Sequence, residues 1–131
     1  MSAIPIALAL VWKGPRLLIA QRRKGTHLAG YWEFPGGRIE ADEDAANAAV
    51  REVREETGVH CTIAAVRPSF EFEYPDRKIV FHPVDCTWAS GEPQPLGSLE
   101  PRWVTQSEIA GYEFPPANRY LLLELQKVWG R

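Results

Sequence analysis

Apolar and polar positions alternate along this chain in short runs separated by turn residues. Residues 4–11 form an almost continuous apolar run, the pattern of a strand covered on both faces. Gly14-Pro15 reads as a turn and Arg16–Gln21 as its hairpin partner. A loop over 24–31 leads to a short strand at 32–34. Pro35-Gly36-Gly37 then reads as a loop whose two glycines permit unusual backbone conformations and close approach of a ligand. Residues 62–66, 69–74 and 79–88 are further strands, the last two joined at Pro75-Asp76. The stretch 90–98, with two prolines and two glycines, is a loop. Residues 102–104 predict a short strand, Ser107 the cap of a brief helical turn, and 116–128 a terminal helix with Tyr120, Leu121, Leu123, Leu125 and Val128 available for packing. With a central helix between Asp42 or Asp44 and Gly58, the expected total is two helices and six or seven strands. That is an α/β layered domain with a mixed sheet between helices.

At about 100° per residue, Ala46, Ala49, Val50 and Val53 share a core-facing stripe of the central helix. Asp44, Asn47, Arg51 and Arg54 occupy the outer arc. Glu52, Glu55 and Glu56 project together beside the core, with Ala45 and Ala48 among them leaving room for a bulky ligand. Like charges at i,i+4 cost a helix roughly 0.2–0.5 kcal/mol per pair, and Arg51 offsets only part of that. The three acids read either as an ordinary solvated face or as oxygen ligands of a hard divalent cation, which would turn repulsion into ligation.

The length of 131 residues suits one domain able to bury a core. A formal net charge of −2 offers no global attraction to a nucleic-acid backbone, so polymeric DNA or RNA is not an expected partner. Cys61 and Cys86 lack CxxC spacing and read as buried or half-buried thiols rather than zinc ligands. The apolar start is too short to span a bilayer and no basic segment precedes it, so the expectation is a cytoplasmic protein without a membrane. Monomer and homodimer both stay open.

Gly37, Glu43, Arg51-Glu52-Val53, Glu55-Glu56 and Gly58-Val59 recur at spacings whose chance coincidence is on the order of 10⁻⁸ per starting position. With these residues the chain resembles the Nudix hydrolases, which cleave a nucleoside diphosphate linked to another moiety. The resemblance implies an α/β/α sandwich. It implies that Glu52, Glu55, Glu56 and the Gly36 carbonyl hold Mg²⁺, with Mn²⁺ possible, that Arg51 orients the acids, and that Glu43 is structural. Glu52 is the first choice for general base and Glu55 the next.

Outside this box the chain is similar to the MutT-like branch of the family, which removes pyrophosphate from 8-oxo-dGTP. The likeness rests on Arg22-Arg23, Glu33-Phe34-Pro35-Gly36-Gly37, Tyr74-Pro75-Asp76-Arg77 and Phe114-Pro115-Pro116-Ala117-Asn118. It implies that Asn118 reads a purine edge, that Arg23 and Arg77 contact the nucleotide, and that Phe34 lies at the substrate. From the residues alone, Arg22-Arg23 could be a solvated edge, Asn118 a helix cap, and Phe72 and Tyr74 core residues rather than base-stacking ones. In one departure, Gly97 stands where MutT-like enzymes often carry a further acid, and Glu100 is the nearby substitute. Pyrimidine triphosphates such as CTP or dCTP are the alternative substrates, and a nucleotide-binding module without catalysis is the alternative class.

Overall fold

The computed structural model describes residues 3–26, 28–98 and 100–129; His27, within the expected loop over 24–31, lies outside them. Strand β1 (Ala3–Lys13) turns at Gly14 into β2 (Arg16–Gln21), and β3 (Trp32–Glu33) and β4 (Gly36–Arg38) follow. Helix α1 (Ala45–Thr57) precedes β5 (His60–Val66), β6 (Phe70–Tyr74) and β7 (Arg77–Ser90). After β8 (Pro101–Val104) come α2 (Gln106–Ile109), a 3-10 turn at Pro116–Asn118, and α3 (Arg119–Val128). The eight strands form one mixed sheet.

β1 runs parallel to β7 over ten residue pairs, from Ala3 opposite Lys78 to Trp12 opposite Thr87. Its alternation serves both faces. Leu8 and Leu10 join the core cluster beneath α2 and α3, whereas Ala7, Ala9 and Val11 face α1. Small residues at Ala7 and Ala9 meet Ala48 and Ala49, so the helix lies close on the sheet. These helix and sheet layers give the α/β class expected from the pattern.

The hairpin of β1 and β2 is paired only at its turn, Trp12 with Leu17 and Lys13 with Arg16. Beyond that the strands part and the chain over 32–38 is wedged between them, β3 on β2 and β4 on β1. Gly36 and Gly37 are therefore strand residues and not a loop, and neither has a positive φ. What they provide is close approach. A Cβ on Gly36 would strike the Ala7 carbonyl oxygen, and one on Gly37 would lie 2.5 Å from the Glu52 carboxylate.

Asp44 caps α1, its side chain accepting the Asn47 NH at 2.8 Å, and Gly58 ends it at φ 76°. The buried face is Ala48, Ala49, Val53 and Thr57, one step round from the expected stripe. Ala48 fills core space against the sheet and does not make room for a ligand. Val50 and Ala46 are only half-buried. The rotation follows from the sheet, whose alanines accept small side chains where a longer valine would hold the helix away.

Two other expectations need correction. Thr105, not Ser107, caps α2, in a capping box with Glu108. The terminal helix opens with a 3-10 turn, and Leu121, Leu125 and Trp129, spaced four apart, bury its inner side while Tyr120, Leu123 and Val128 stay exposed. Phe70, Phe72 and Tyr74 pack against the core beneath α3. Cys61 and Cys86 are buried free thiols, as their spacing implies.

Candidate active site

Two groups of residues meet where the wedge crosses β1. The first is the acidic face of α1. Arg51 is its hub, donating to both Glu43 oxygens at 2.7 and 2.9 Å, to Glu52 at 2.9 Å, to Glu55 at 3.2 Å and to the Arg38 carbonyl at 3.1 Å. The Arg51 guanidinium, together with the Glu40 NH, holds the Glu43 carboxyl down at about 2. Glu43 thus anchors the arginine, and the arginine draws Glu52 and Glu55 to one side.

Glu56 points elsewhere, accepting the Gly36 NH at 2.9 Å. Burial pushes its carboxyl up to about 8, and the charges of Glu33 and Glu52 add to the effect. Burial also raises Glu52, against the opposing hydrogen bond from Arg51. Glu55 is the exposed member, its side chain 53% accessible.

The Gly36 carbonyl leaves on the same edge as its NH. Ala9 donates to the Pro35 carbonyl and Ile39 to the Pro5 carbonyl, which makes Gly36 opposite Leu8 a non-hydrogen-bonded pair of the ladder. Both polar groups of Gly36 therefore face away from β1, toward Glu56.

Among the described residues no three acidic, histidine or cysteine side chains converge closely enough to enclose a cation. The expected convergence of Glu52, Glu55 and Glu56 is thus not closed: Arg51 holds two of them and the Gly36 NH the third. The donor set still suits a divalent metal. It consists of hard oxygens, with two half-buried carboxylates whose protonation is favoured by burial first and by neighbouring carboxylate charge second, and a glycine in place of any side chain that would fill the space beside Glu52. A cation would relieve the same repulsion that a proton does.

The second group lines a cavity of about 240 Å³ beside these acids. Its apolar floor comes from β1 and β7 and includes Ile6, Leu8, Ile79 and Phe81, while Pro115, Ala117 and Asn118 form a wall. Asn118 is 6% exposed, and although it stands at the N-terminus of α3 its side chain makes no cap hydrogen bond. The cap reading therefore fails, leaving a buried amide among the residues that line the cavity.

The other expected substrate residues divide. Arg77 lines the cavity, over the Tyr74 ring at 5.5 Å, with a buried Nε that has no hydrogen-bond partner among the described residues. Phe34 lines the cavity and is fully buried against Phe114, ring centres 5.2 Å apart. Arg23 is not in the lining; its guanidinium donates to the Leu96 carbonyl at 2.8 Å across the neighbouring loop. Its neighbour Arg22 takes the cavity position, paired with Glu33 at 2.6 Å. Burial raises the Glu33 carboxyl although Arg22 opposes it. Sequence reasoning singled out the dipeptide but not this member of it, nor Glu33. The available signal was register: Ala20 pairs with Glu33, and Arg22, two residues further on and opposite Tyr31, shares that face and reaches Glu33 diagonally.

Gly97, at the position of the missing acid, donates its NH to the Glu56 carbonyl at 2.9 Å, and a Cβ there would come within 3.0 Å of Glu56. A side chain there would require Glu56 to give way by a few tenths of an ångström. Glu100 does not replace it, since its carboxylate is exposed and bound to Arg102 at 3.0 Å.

A mixed sheet between helices, with the glutamate-bearing helix laid against a glycine strand, is the arrangement of a Nudix domain. The chain matches the NUDIX domain family over residues 7–124 and belongs to that family of divalent-metal-dependent hydrolases. It is 33% identical over 122 residues to the CTP pyrophosphohydrolase of Escherichia coli, covering 93% of this chain and 90% of that protein. It is 36% identical over 110 residues to the 8-oxo-dGTP diphosphatase of Haemophilus influenzae, covering 84% and 81%. Among solved structures, the MutT protein of Methanosarcina mazei superposes with a TM-score of 0.81 at 26% identity, covering 95% of this chain and 93% of that one. No helix among the described residues is long and apolar enough to cross a membrane.

Proposed function

We propose that the chain is a nucleoside triphosphate pyrophosphohydrolase acting on oxidised purine nucleotides such as 8-oxo-dGTP and releasing a nucleoside monophosphate and pyrophosphate. The observation that carries this reading is the buried Asn118 amide, which lines the cavity beside the acids and makes no cap hydrogen bond. An amide carries a donor and an acceptor and makes a paired contact with a purine edge.

Glu52, Glu55, Glu56 and the Gly36 carbonyl would hold Mg²⁺, or Mn²⁺. Such an ion neutralises triphosphate charge and lowers the pKa of bound water. The chain's own residues do the rest. Glu52 takes a proton from the attacking water, with Glu55 as the second choice. The water oxygen bonds to the β-phosphorus, and the bond from that phosphorus to the oxygen bridging toward the α-phosphate breaks. Arg51 holds Glu52 in place and supports its ionised form. Arg22 and Arg77 supply cations along the cavity, and Arg23 reaches substrate only by leaving the Leu96 carbonyl.

The test is pyrophosphate release with Mg²⁺ from 8-oxo-dGTP beside dGTP, dCTP and CTP. A kcat/KM preference of about a hundredfold for 8-oxo-dGTP supports the reading. The likeness to a CTP pyrophosphohydrolase favours one second reading, a pyrimidine triphosphate substrate, which a CTP or dCTP preference would select. No turnover of any of these would leave a binding module. Glu52→Gln should remove most turnover while the fold survives, and full activity in that variant would end the general-base assignment.

A further inference from the structure

Leu28 stands apart from the rest of the cavity. The floor and wall come from strands and the 115–118 segment, whereas Leu28 reaches the cavity from the loop between β2 and β3. It is also the one non-glycine residue with a positive φ among the described residues, at 59°. A branched side chain in the left-handed region costs on the order of 1 kcal/mol and persists only where its surroundings enforce it.

Those surroundings are visible. The Tyr31 NH donates to the Leu28 carbonyl at 3.2 Å, the Gly30 NH to the Arg22 carbonyl at 3.3 Å, and the Arg22 NH to the Tyr31 carbonyl at 2.9 Å. Gln21 adds a side-chain bond to the Gly30 carbonyl at 3.1 Å, and the Thr26 hydroxyl donates to the Arg23 carbonyl at 2.6 Å. The loop is thus closed on itself by its own hydrogen bonds, and Gly25 and Gly30 take its two other left-handed positions. Glycine would suit position 28 by backbone alone. A half-buried leucine there spends strain to put an apolar side chain at the cavity.

We infer that Leu28 is a specificity-determining residue, the apolar contact that covers the face of the planar base whose edge meets Asn118. This rests on the nucleotide-hydrolase reading above. Asn118 is polar and can address only an edge, while the floor of Ile6, Leu8 and Ile79 covers one face. Leu28 completes an apolar sandwich from a loop that is independent of the sheet. The contact is made to bound substrate throughout the reaction, so its loss weakens binding and leaves the chemical step unchanged.

The experiment compares Leu28→Ala, Leu28→Gly and Leu28→Met with the parent chain by pyrophosphate release from whichever nucleotide the parent prefers, and by calorimetric binding of the corresponding monophosphate without metal. The expected result is a rise in KM and in monophosphate Kd of roughly tenfold or more for Ala and Gly alike, kcat within twofold, and near-parental values for Met. Leu28→Gly separates side chain from backbone, because it keeps the left-handed loop without strain. If glycine matches the parent, or if all three variants bind and turn over as the parent does, the proposal is wrong. A fall in kcat at unchanged KM would also overturn it, by assigning Leu28 to the positioning of the acids. A parent chain that hydrolyses none of the nucleotides refutes the functional reading instead, and the monophosphate titration then decides the Leu28 contact on its own.

Discussion

Gly36 and Gly37 are adjacent in one strand, yet adding a single methyl to each has different consequences. At Gly37 the new carbon falls 2.5 Å from both the Cδ and Oε1 of Glu52. That obstacle is the far end of a flexible side chain, so the sheet survives and the carboxylate moves. Ordinary van der Waals separation requires a shift of roughly 1 Å, and a misplacement of that size costs about a hundredfold in rate. The Glu52 bond to Arg51 at 2.9 Å is strained by the same movement. At Gly36 the obstacle is the backbone carbonyl of Ala7, in the middle of β1 and unable to yield without separating β4 from it. Overpacking of this kind costs about 3 kcal/mol, or roughly 10 °C in Tm for a domain of this size. Gly37→Ala should therefore lower kcat about a hundredfold with little change in Tm, and Gly36→Ala should lower Tm first. Pyrophosphate release and thermal unfolding, measured on both variants, separate the two effects. A Gly37→Ala enzyme of full activity, or a Gly36→Ala protein as stable as its parent, would refute the close-approach account of this strand.

Asn118→Ala should raise KM for the preferred nucleotide roughly tenfold to a hundredfold, with Tm unchanged because no cap bond is lost; a fall in Tm without a change in KM would return Asn118 to a capping role. Glu56 has its carboxyl raised from 4.5 to about 8, so the stability it contributes to the metal-free fold is complete below pH about 4.5 and lost as pH rises through 8. Thermal unfolding in a chelator should show that decline, Glu56→Gln should flatten it, and an identical slope in the variant would exclude Glu56 as its source. Added Mg²⁺ should raise Tm more in alkaline than in acid solution, since protons and the ion compete for the same carboxylates; an equal rise at both would place the ion elsewhere. Thr105→Ala should cost about 1 kcal/mol in unfolding free energy without affecting turnover.

Much of this architecture is legible in the chain because local chemistry and global fold agree. The run 4–11 is apolar on both faces because α1 covers one and α3 the other. Asp44 and Gly58 bound the helix by ordinary capping, and the glutamates follow from their spacing. What is not legible depends on partners distant in sequence. The glycine strand reads as a loop because its pairing with β1 uses backbone that any sequence possesses. Ala48 reads as ligand space because periodicity ranks Val50 above it, whereas the facing Ala7 and Ala9 decide which side chain fits. Arg23 and Arg22 are indistinguishable until Leu96 claims one and Glu33 the other. Convergence of the three acids is a statement about side-chain torsions, which helical spacing leaves free.

The parallel pairing of β1 with β7 joins residues about 75 positions apart. β2 likewise waits for β8, with Leu17 opposite Val104. Helix α1 can form early, but its carboxylates meet the glycine strand only when β4 has docked on β1, and β1 is seated in the sheet by β7. Such non-local closure makes folding slow relative to helical domains of the same length. During synthesis, the acidic helix leaves the ribosome well before the strand that completes its platform. Any nascent or proteolysed chain ending before β7 therefore carries the whole metal-binding motif without the surface that organises it, so hydrolysis should appear only once that strand is added.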